Sequence, residues 1–165
     1  MRPAMTRLLR TAVAALGLLL LGAAQPHGQA DLQGRITVQE LYAAFPVFRA
    51  GADAYRPDPA AVEALARIGR ETKLVAFLGT WCPDSRSEIP ALLKTLDMAR
   101  NPRLKLELYA VDRIMDDGIG VADRLNLQGV PTVIVFRGGR EAGRIQGLAR
   151  DSMETDLLAI MQRTR

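Results

Sequence analysis

Strand-like and helix-like segments alternate along this chain, and their order constrains its fold more than any other feature of the sequence. A segment with apolar residues at helical spacing lies between two apolar runs that read as buried strands, and a hairpin and a last helix follow. A strand, a helix and a strand in succession favour parallel pairing, whereas a hairpin pairs antiparallel. The order therefore predicts an α/β fold with a mixed central sheet and helices on both faces. The predicted strands are residues 74–78, 104–111, 132–136 and 141–145, and the predicted helices are residues 38–45, 58–71, 85–100, 121–125 and a last helix capped by Asp151.

The first thirty residues have the pattern of a secretory signal peptide. Three arginines precede an uncharged, mostly aliphatic run at residues 11–24, which at about 14 residues is shorter than the roughly 20 that a membrane-spanning helix needs. Small residues ending at Ala24 and Ala30 offer two cleavage sites. We therefore expect an exported protein, with a bacterial periplasm as its compartment and no stable membrane anchor after cleavage.

The chain that remains after cleavage is expected to hold one folded domain. Residues 31–57 are predicted to be an N-terminal extension, and residues 58–165 the domain itself. The stretch from Pro46 to Pro59 is predicted to be irregular, because prolines and Gly51 interrupt it.

Charge and histidine content exclude several classes of function. The net charge of +4 falls to +1 when three arginines leave with the signal peptide, and a nearly neutral domain gains little from counterion release, so nucleic acid is not an expected partner. The single histidine, His27, lies in the same leader. Without imidazole the domain cannot build a Ser-His-Asp or Cys-His hydrolase or a common zinc site, and we expect no metal and no cofactor.

Three acidic residues follow the second predicted strand but do not predict a cation site. Asp112, Asp116 and Asp117 lie around a glycine-containing loop, where solvated loop acids are the simpler interpretation.

Cys82 is the single cysteine of the chain, so no intramolecular disulfide can form. It stands in the sequence Trp81-Cys82-Pro83, just before a predicted helix whose Ser85 and Glu88 fit a capping box. Unpaired N–H groups at a helix start favour a thiolate over a thiol. The alternative is that Cys82 is an inert, buried, small hydrophobic residue.

These residues resemble the thioredoxin family. Pro90 lies eight residues past Cys82, where the thioredoxin helix has its kinking proline, and Gly129-Val130-Pro131-Thr132 resembles the cis-proline loop of the family. The resemblance covers about residues 73–161. It implies the thioredoxin fold, with a central mixed sheet of four to five strands and helices on both faces.

The resemblance also implies roles for residues of the site. Cys82 would be the nucleophile, and Trp81 and Pro83 would contact the substrate beside it. Val130 and Pro131 would contact the substrate from the facing loop, with the peptide bond between them cis.

Two positions depart from the family pattern. Ser85 replaces the usual second cysteine, and Ala76 replaces the buried aspartate of thioredoxin. A hydroxyl forms no disulfide, so a mixed disulfide on Cys82 would be resolved by a second thiol of the substrate, by glutathione or by a partner protein. Ser85 would either donate a hydrogen bond to the Cys82 thiolate as part of the catalytic site or cap the helix.

The leading hypothesis is an exported monothiol protein that performs thiol–disulfide exchange with protein or glutathione mixed disulfides. The alternative is a catalytically inactive binding or chaperone-like module that uses the groove between Trp81 and Pro131, so the sequence leaves open whether the protein is an enzyme. The protein is expected to be a monomer, and a disulfide-linked dimer through Cys82 is a third hypothesis.

Overall fold

The computed structural model describes residues 30–163. Apart from Ala30, the predicted signal peptide lies outside this range. The Ala24 cleavage site and His27 also lie outside it. Within residues 30–163 no helix combines the length and the apolar character that crossing a membrane requires.

A five-stranded mixed sheet lies at the centre of the described chain, as the segment order predicted. Its order is β1-β3-β2-β4-β5, in which β2 and β3 are parallel and the other three neighbouring pairs are antiparallel. The short edge strand β1 was not predicted from the sequence, because three residues are too few for a clear alternation. The strands are β1 Gly34–Ile36, β2 Thr72–Leu78, β3 Leu104–Ala110, β4 Thr132–Arg137 and β5 Arg140–Gln146.

Side-chain caps mark the starts of three of the six described helices. The Thr37 hydroxyl and the Glu40 carboxylate form a reciprocal capping box at the first helix, and Asp58 caps the third. Ser152 caps the last helix. The predicted cap, Asp151, was therefore wrong by one residue. The helices are α1 Val38–Ala44, α2 Pro46–Ala54, α3 Pro59–Ala66, α4 Pro83–Ala99, α5 Val121–Arg124 and α6 Met153–Gln162.

The stretch that begins at Pro46 is helical, which corrects the prediction of an irregular segment. Pro46 occupies the first turn of α2, where a missing N–H costs nothing. Gly51 lies where α2 meets α4, and a Cβ there would come within 2.9 Å of Pro90 Cγ. Both residues therefore belong to the helix rather than interrupting it, and only the residues after Ala54 are extended.

Residues 31–57, expected to form an extension, pack into the same core as the rest of the described chain. They contribute β1 to the sheet, and Leu41 of α1 and Phe48 of α2 are fully buried members of the larger core cluster. This packing gives α4 a neighbour, α2, along the helix that begins at the cysteine.

The two faces of the sheet are covered unequally. Leu74, Ala76 and Leu78 of β2 face the larger core, to which α1, α2, α3, α4 and α6 contribute. Val75 and Phe77 face the opposite way, where Phe77 stacks on Tyr109 with ring centroids 5.5 Å apart and α5 packs over them. Helices therefore lie on both faces, as predicted, although among the described helices only the four-residue α5 covers the second one.

Candidate active site

Cys82 lies at the junction between the end of β2 and the start of α4. It is the N-cap residue of that helix, and a turn hydrogen bond from its N–H to the Gly79 carbonyl, 3.0 Å long, fixes the loop before it. Pro83 occupies the first helical position, where its fixed φ suits the start of a helix. The cysteine is 7 % exposed, and Pro83 beside it is exposed to solvent.

The sulfur of Cys82 faces the loop that precedes β4. Its Sγ lies 3.3 Å from the carbonyl oxygen of Val130, to which the thiol donates a weak hydrogen bond. The peptide bond between Val130 and Pro131 is cis, as the family resemblance implied. The loop is held from both sides, because Gly147 N–H donates to the Pro131 carbonyl at 2.8 Å and the Thr132 hydroxyl donates to the Gly129 carbonyl at 2.7 Å.

Ser85 lies in the first turn of α4 and is fully buried. Its oxygen accepts a hydrogen bond from the Gly79 N–H at 3.2 Å, and no hydrogen bond joins it to Cys82 within residues 30–163. The capping-box prediction is wrong, because the helix begins at Pro83 and the Glu88 carboxylate instead accepts from the Ala149 N–H at 3.4 Å. The catalytic role of Ser85 stays a prediction.

Trp81 is half-buried beside the cysteine and is held in three ways. Its indole N–H donates to the Val111 carbonyl at 3.1 Å, which links it to the end of β3. A Cβ on Gly79 would lie 2.6 Å from the indole Cε2, so only glycine leaves room for the ring there. The guanidinium carbon of Arg113 lies 5.1 Å from the ring centroid, within cation–π range.

The loop between β2 and α4 is also tied to the start of the described chain. The Thr80 hydroxyl donates to the Asp31 carboxylate at 2.7 Å. Arg86, an exposed residue of α4, donates from Nε and Nη2 to the Thr80 carbonyl at 3.1 and 2.9 Å. Sequence reasoning missed both Arg86 and Arg113, because no motif or spacing distinguishes them from other surface arginines.

The interior beside the site is apolar where the family carries an acid. Ala76 is fully buried within the larger core cluster. The half-buried carboxylate nearest in sequence to Cys82 is that of Glu88 on α4, whose pKa is raised chiefly by burial although the Ala149 N–H opposes that effect.

The acidic loop after β3 forms turns. Asp112 accepts from the Ile114 and Asp116 N–H groups, and no group of three His, Cys, Asp or Glu residues suited to a metal occurs within residues 30–163. Asp117, expected to be solvated, is 1 % exposed, and its carboxylate accepts from N–H groups at the start of α5. The prediction that it is solvated is therefore wrong.

A family model and several solved structures are similar to this chain. A family model described as Thioredoxin matches residues 62–162. A protein of unknown function from Pseudomonas aeruginosa is 22% identical with a TM-score of 0.54, over 77% of this chain and 86% of that one. An HIV epitope scaffold is 23% identical with a TM-score of 0.55, over 79% of this chain and 88% of its own. Thioredoxin O2 from Arabidopsis thaliana, in its oxidized state, is 27% identical with a TM-score of 0.42, over 62% of this chain and 82% of that one.

Proposed function

Because the chain belongs to the thioredoxin family, whose fold supports a thiol–disulfide oxidoreductase type of function, we propose that it performs thiol–disulfide exchange through Cys82 alone. One observation carries the proposal. The Cys82 sulfur stands at the N-cap of a 17-residue helix and faces the Val130 carbonyl at 3.3 Å, beside an exposed Pro83 and a half-buried Trp81.

The first step of the reaction forms a mixed disulfide. The Cys82 thiolate attacks one sulfur of a substrate disulfide, a bond forms between those two sulfurs, and the substrate S–S bond breaks. Its other sulfur leaves with the electron pair and takes a proton from solvent. The positive end of α4 stabilises negative charge at this position.

The loop before β4 supplies backbone groups for an extended substrate. Within residues 30–163 the Val130 N–H has no hydrogen-bond partner, so it is available to a strand placed beside it. The Val130 carbonyl now accepts from the thiol and becomes free to accept from substrate once that sulfur is bonded. The two groups together suit one residue of an extended chain.

A second thiol must complete the cycle, because Ser85 cannot form a disulfide. A thiol of the substrate itself would attack the substrate sulfur of the mixed disulfide, releasing Cys82 as thiolate and leaving a rearranged substrate disulfide. Glutathione or a partner thiol would instead attack the Cys82 sulfur, which releases the substrate thiol and leaves the attacking thiol bonded to Cys82. A further thiol then attacks the sulfur of that attacking thiol and releases Cys82 as thiolate.

We further propose that the protein acts after export, in a bacterial periplasm, as a monomer on protein or glutathione mixed disulfides. The leader-like pattern of the first thirty residues supports this proposal. An oxidising compartment also supplies the disulfides that a single thiol needs as substrates.

The test is an exchange assay with a peptide–glutathione mixed disulfide and added glutathione. We expect the purified protein to accelerate release of the peptide thiol and to carry a covalent adduct on Cys82, detected by mass spectrometry. Cys82→Ser should return the rate to background, whereas the matched control Ser87→Ala, an exposed serine of α4, should keep it. Equal rates for the protein and Cys82→Ser would contradict the proposal.

A binding module without turnover is the second candidate. The low exposure of Cys82 and the absence of a second sulfur beside it favour this alternative. It predicts that a peptide ligand binds equally to the protein and to Cys82→Ser, and that Trp81→Ala removes binding while the fold is retained.

A further inference from the structure

Arg113 contacts Trp81, the residue before Cys82 in the sequence. The guanidinium carbon lies 5.1 Å from the centroid of the indole, and the indole belongs to the residue that directly precedes Cys82. Arg113 is exposed, and it takes part in no salt bridge within residues 30–163. A positive charge is thereby fixed at the rim of the site without a protein counter-charge bonded to it.

The acids that flank Arg113 are engaged with the backbone of their own loop. The Asp112 carboxylate accepts from the Ile114 and Asp116 N–H groups at 2.9 and 3.0 Å, and the Asp116 carboxylate accepts from the Gly118 N–H at 2.7 Å. These bonds hold one oxygen of each carboxylate in a turn, and within residues 30–163 neither carboxylate forms a salt bridge with the guanidinium.

A second arginine, Arg86, adds positive charge to the same loop. Its guanidinium is bonded through Nε and Nη2 to the Thr80 carbonyl, one residue from Trp81, and the side chain remains exposed. Asp84, in the first turn of α4, is exposed and opposes this charge in part. Arg113 differs from Arg86 in its hydrogen bonds. The Arg86 side chain donates to the Thr80 carbonyl, whereas the Arg113 side chain donates to no described residue of the chain.

We propose that Arg113 selects disulfide substrates that carry a carboxylate close to the attacked sulfur. This inference rests on the proposed exchange through Cys82. A guanidinium binds carboxylates through two parallel N–H donors, and within residues 30–163 no hydrogen bond uses the side-chain donors of Arg113 over the Trp81 ring. Because the ring already restrains the side chain, less conformational entropy is lost when a substrate carboxylate binds. An acidic residue beside a peptide cysteine and the carboxylates of glutathione both offer this chemistry.

The test compares disulfide probes that share one leaving thiol. Three peptide disulfides carry Asp, Asn or Lys beside the cysteine, and a fourth probe is a glutathione disulfide. The rate of mixed-disulfide formation on Cys82 is measured by acid quench and mass spectrometry. At low salt we expect the Asp probe to react about threefold to tenfold faster than the Lys probe, and the ratio to shrink in about 0.5 M salt.

Variants of Arg113 separate its charge from its stacking. Arg113→Glu should invert the Asp-to-Lys ratio, Arg113→Gln should bring it close to one, and Arg113→Lys should keep its direction. Arg103→Glu is the matched control: it makes the same charge change next to Leu104, which pairs with Thr72 at the opposite end of β2 from Cys82. It should leave the ratio unchanged.

The outcomes distinguish this inference from the function on which it rests. If Cys82 reacts with none of the probes, both proposals are overturned. Reaction with all probes at one rate, or an Asp-to-Lys ratio that survives Arg113→Glu, would overturn the role of Arg113 alone. If the inference is correct, the probe that Arg113→Glu slows most, acidic peptide or glutathione disulfide, identifies the source of the carboxylate.

Discussion

The hydroxyl oxygen of Ser85 lies 3.2 Å from the backbone nitrogen of Gly79 and accepts its hydrogen bond. The contact joins the first turn of α4 to the residue after β2, so it spans the loop that carries Trp81 and Cys82. Ser85 stands where the family has a second sulfur, and it is fully buried. The Ser85 hydroxyl therefore holds the loop around the Cys82 thiol.

Replacing Ser85 with Ala should lower the free energy of unfolding by about 1–2 kcal/mol, because the buried Gly79 N–H would lose its partner. Denaturant unfolding measures the loss. Ser87→Ala is the control, since Ser87 is exposed and, among the described residues, its hydroxyl bonds only to the Asp84 carbonyl. Equal losses in the two variants would contradict a structural role for the buried hydroxyl.

Ser85→Cys should create a disulfide with Cys82, because residues three apart at a helix start place their side chains within reach. Oxidation should remove two hydrogens from the variant, as measured by mass spectrometry. A preformed adduct on Cys82 should leave without added thiol in Ser85→Cys and persist in the natural protein. Ser87→Cys, with its thiol farther along the exposed side of α4, should retain the adduct. A persistent adduct in Ser85→Cys would contradict the expected geometry.

Gly79→Ala should displace the indole of Trp81, because the new Cβ would stand 2.6 Å from the ring. We expect a loss of about 1–3 kcal/mol in the free energy of unfolding and a red shift in emission. Trp81 is the single tryptophan of the chain, so the fluorescence reports on this ring alone. Gly69→Ala, where no atom lies within 4 Å of the added carbon, is the control. Unchanged emission in Gly79→Ala would mean that the close approach does not hold the ring.

Patterns that act over a few residues predicted most of the fold. The apolar run of β2, the helical spacing of α4 and the paired residues of the β4–β5 hairpin each carry their own local signal. The prediction that Val130 lies opposite Cys82 depended on the family motif. Local spacing could not provide it, because the two residues are 48 positions apart in the sequence.

The features that the sequence did not predict depend on contacts between distant segments. In the sequence alone, Gly51 suggests a break in a helix. Its close approach to Pro90 of α4 explains why a glycine lies within the helix at this position. Strand β1 has three residues and is defined by its pairing with β3. Arg113 became part of the site only through its contact with Trp81. Local spacing contains no information about any of these contacts.

Asp117→Ala should lower the free energy of unfolding by about 2–3 kcal/mol, because a buried carboxylate there accepts from N–H groups of Ile119, Val121 and Ala122. Asp117→Asn should recover part of the loss, since the amide keeps one accepting oxygen. Thermal or denaturant unfolding measures both. Asp116→Ala, which alters an exposed acid of the same loop, should cost less. A smaller loss for Asp117→Ala than for Asp116→Ala would contradict the assigned role of Asp117.

Glu154 holds the extended segment before α3 against α6. Its side chain is 2 % exposed, and its carboxylate accepts from the Tyr55 hydroxyl at 2.8 Å and from the Asp58 N–H at 2.9 Å. Burial raises the pKa of Glu154, but hydrogen bonds, that of the Asp58 N–H foremost, lower it more, so the pKa lies below its ordinary value. Ionised Glu154 therefore stabilises the fold above the unfolded-state pKa of about 4.3, and this stabilisation is lost as the pH falls through the lower folded value.

Glu154→Gln removes the charge while keeping an oxygen for Tyr55, and should lower the free energy of unfolding by about 1 kcal/mol or more at pH 7. The difference from the natural protein should shrink as the pH falls from 7 to 3, because the unfolded chain takes up a proton below about 4.3 that the folded carboxylate resists. Urea unfolding at both pH values measures it. Glu63→Gln, on a side chain 64% exposed, should change stability little at either pH. A Glu154→Gln difference that stays constant between pH 7 and pH 3 would show that shape, not charge, holds the segment.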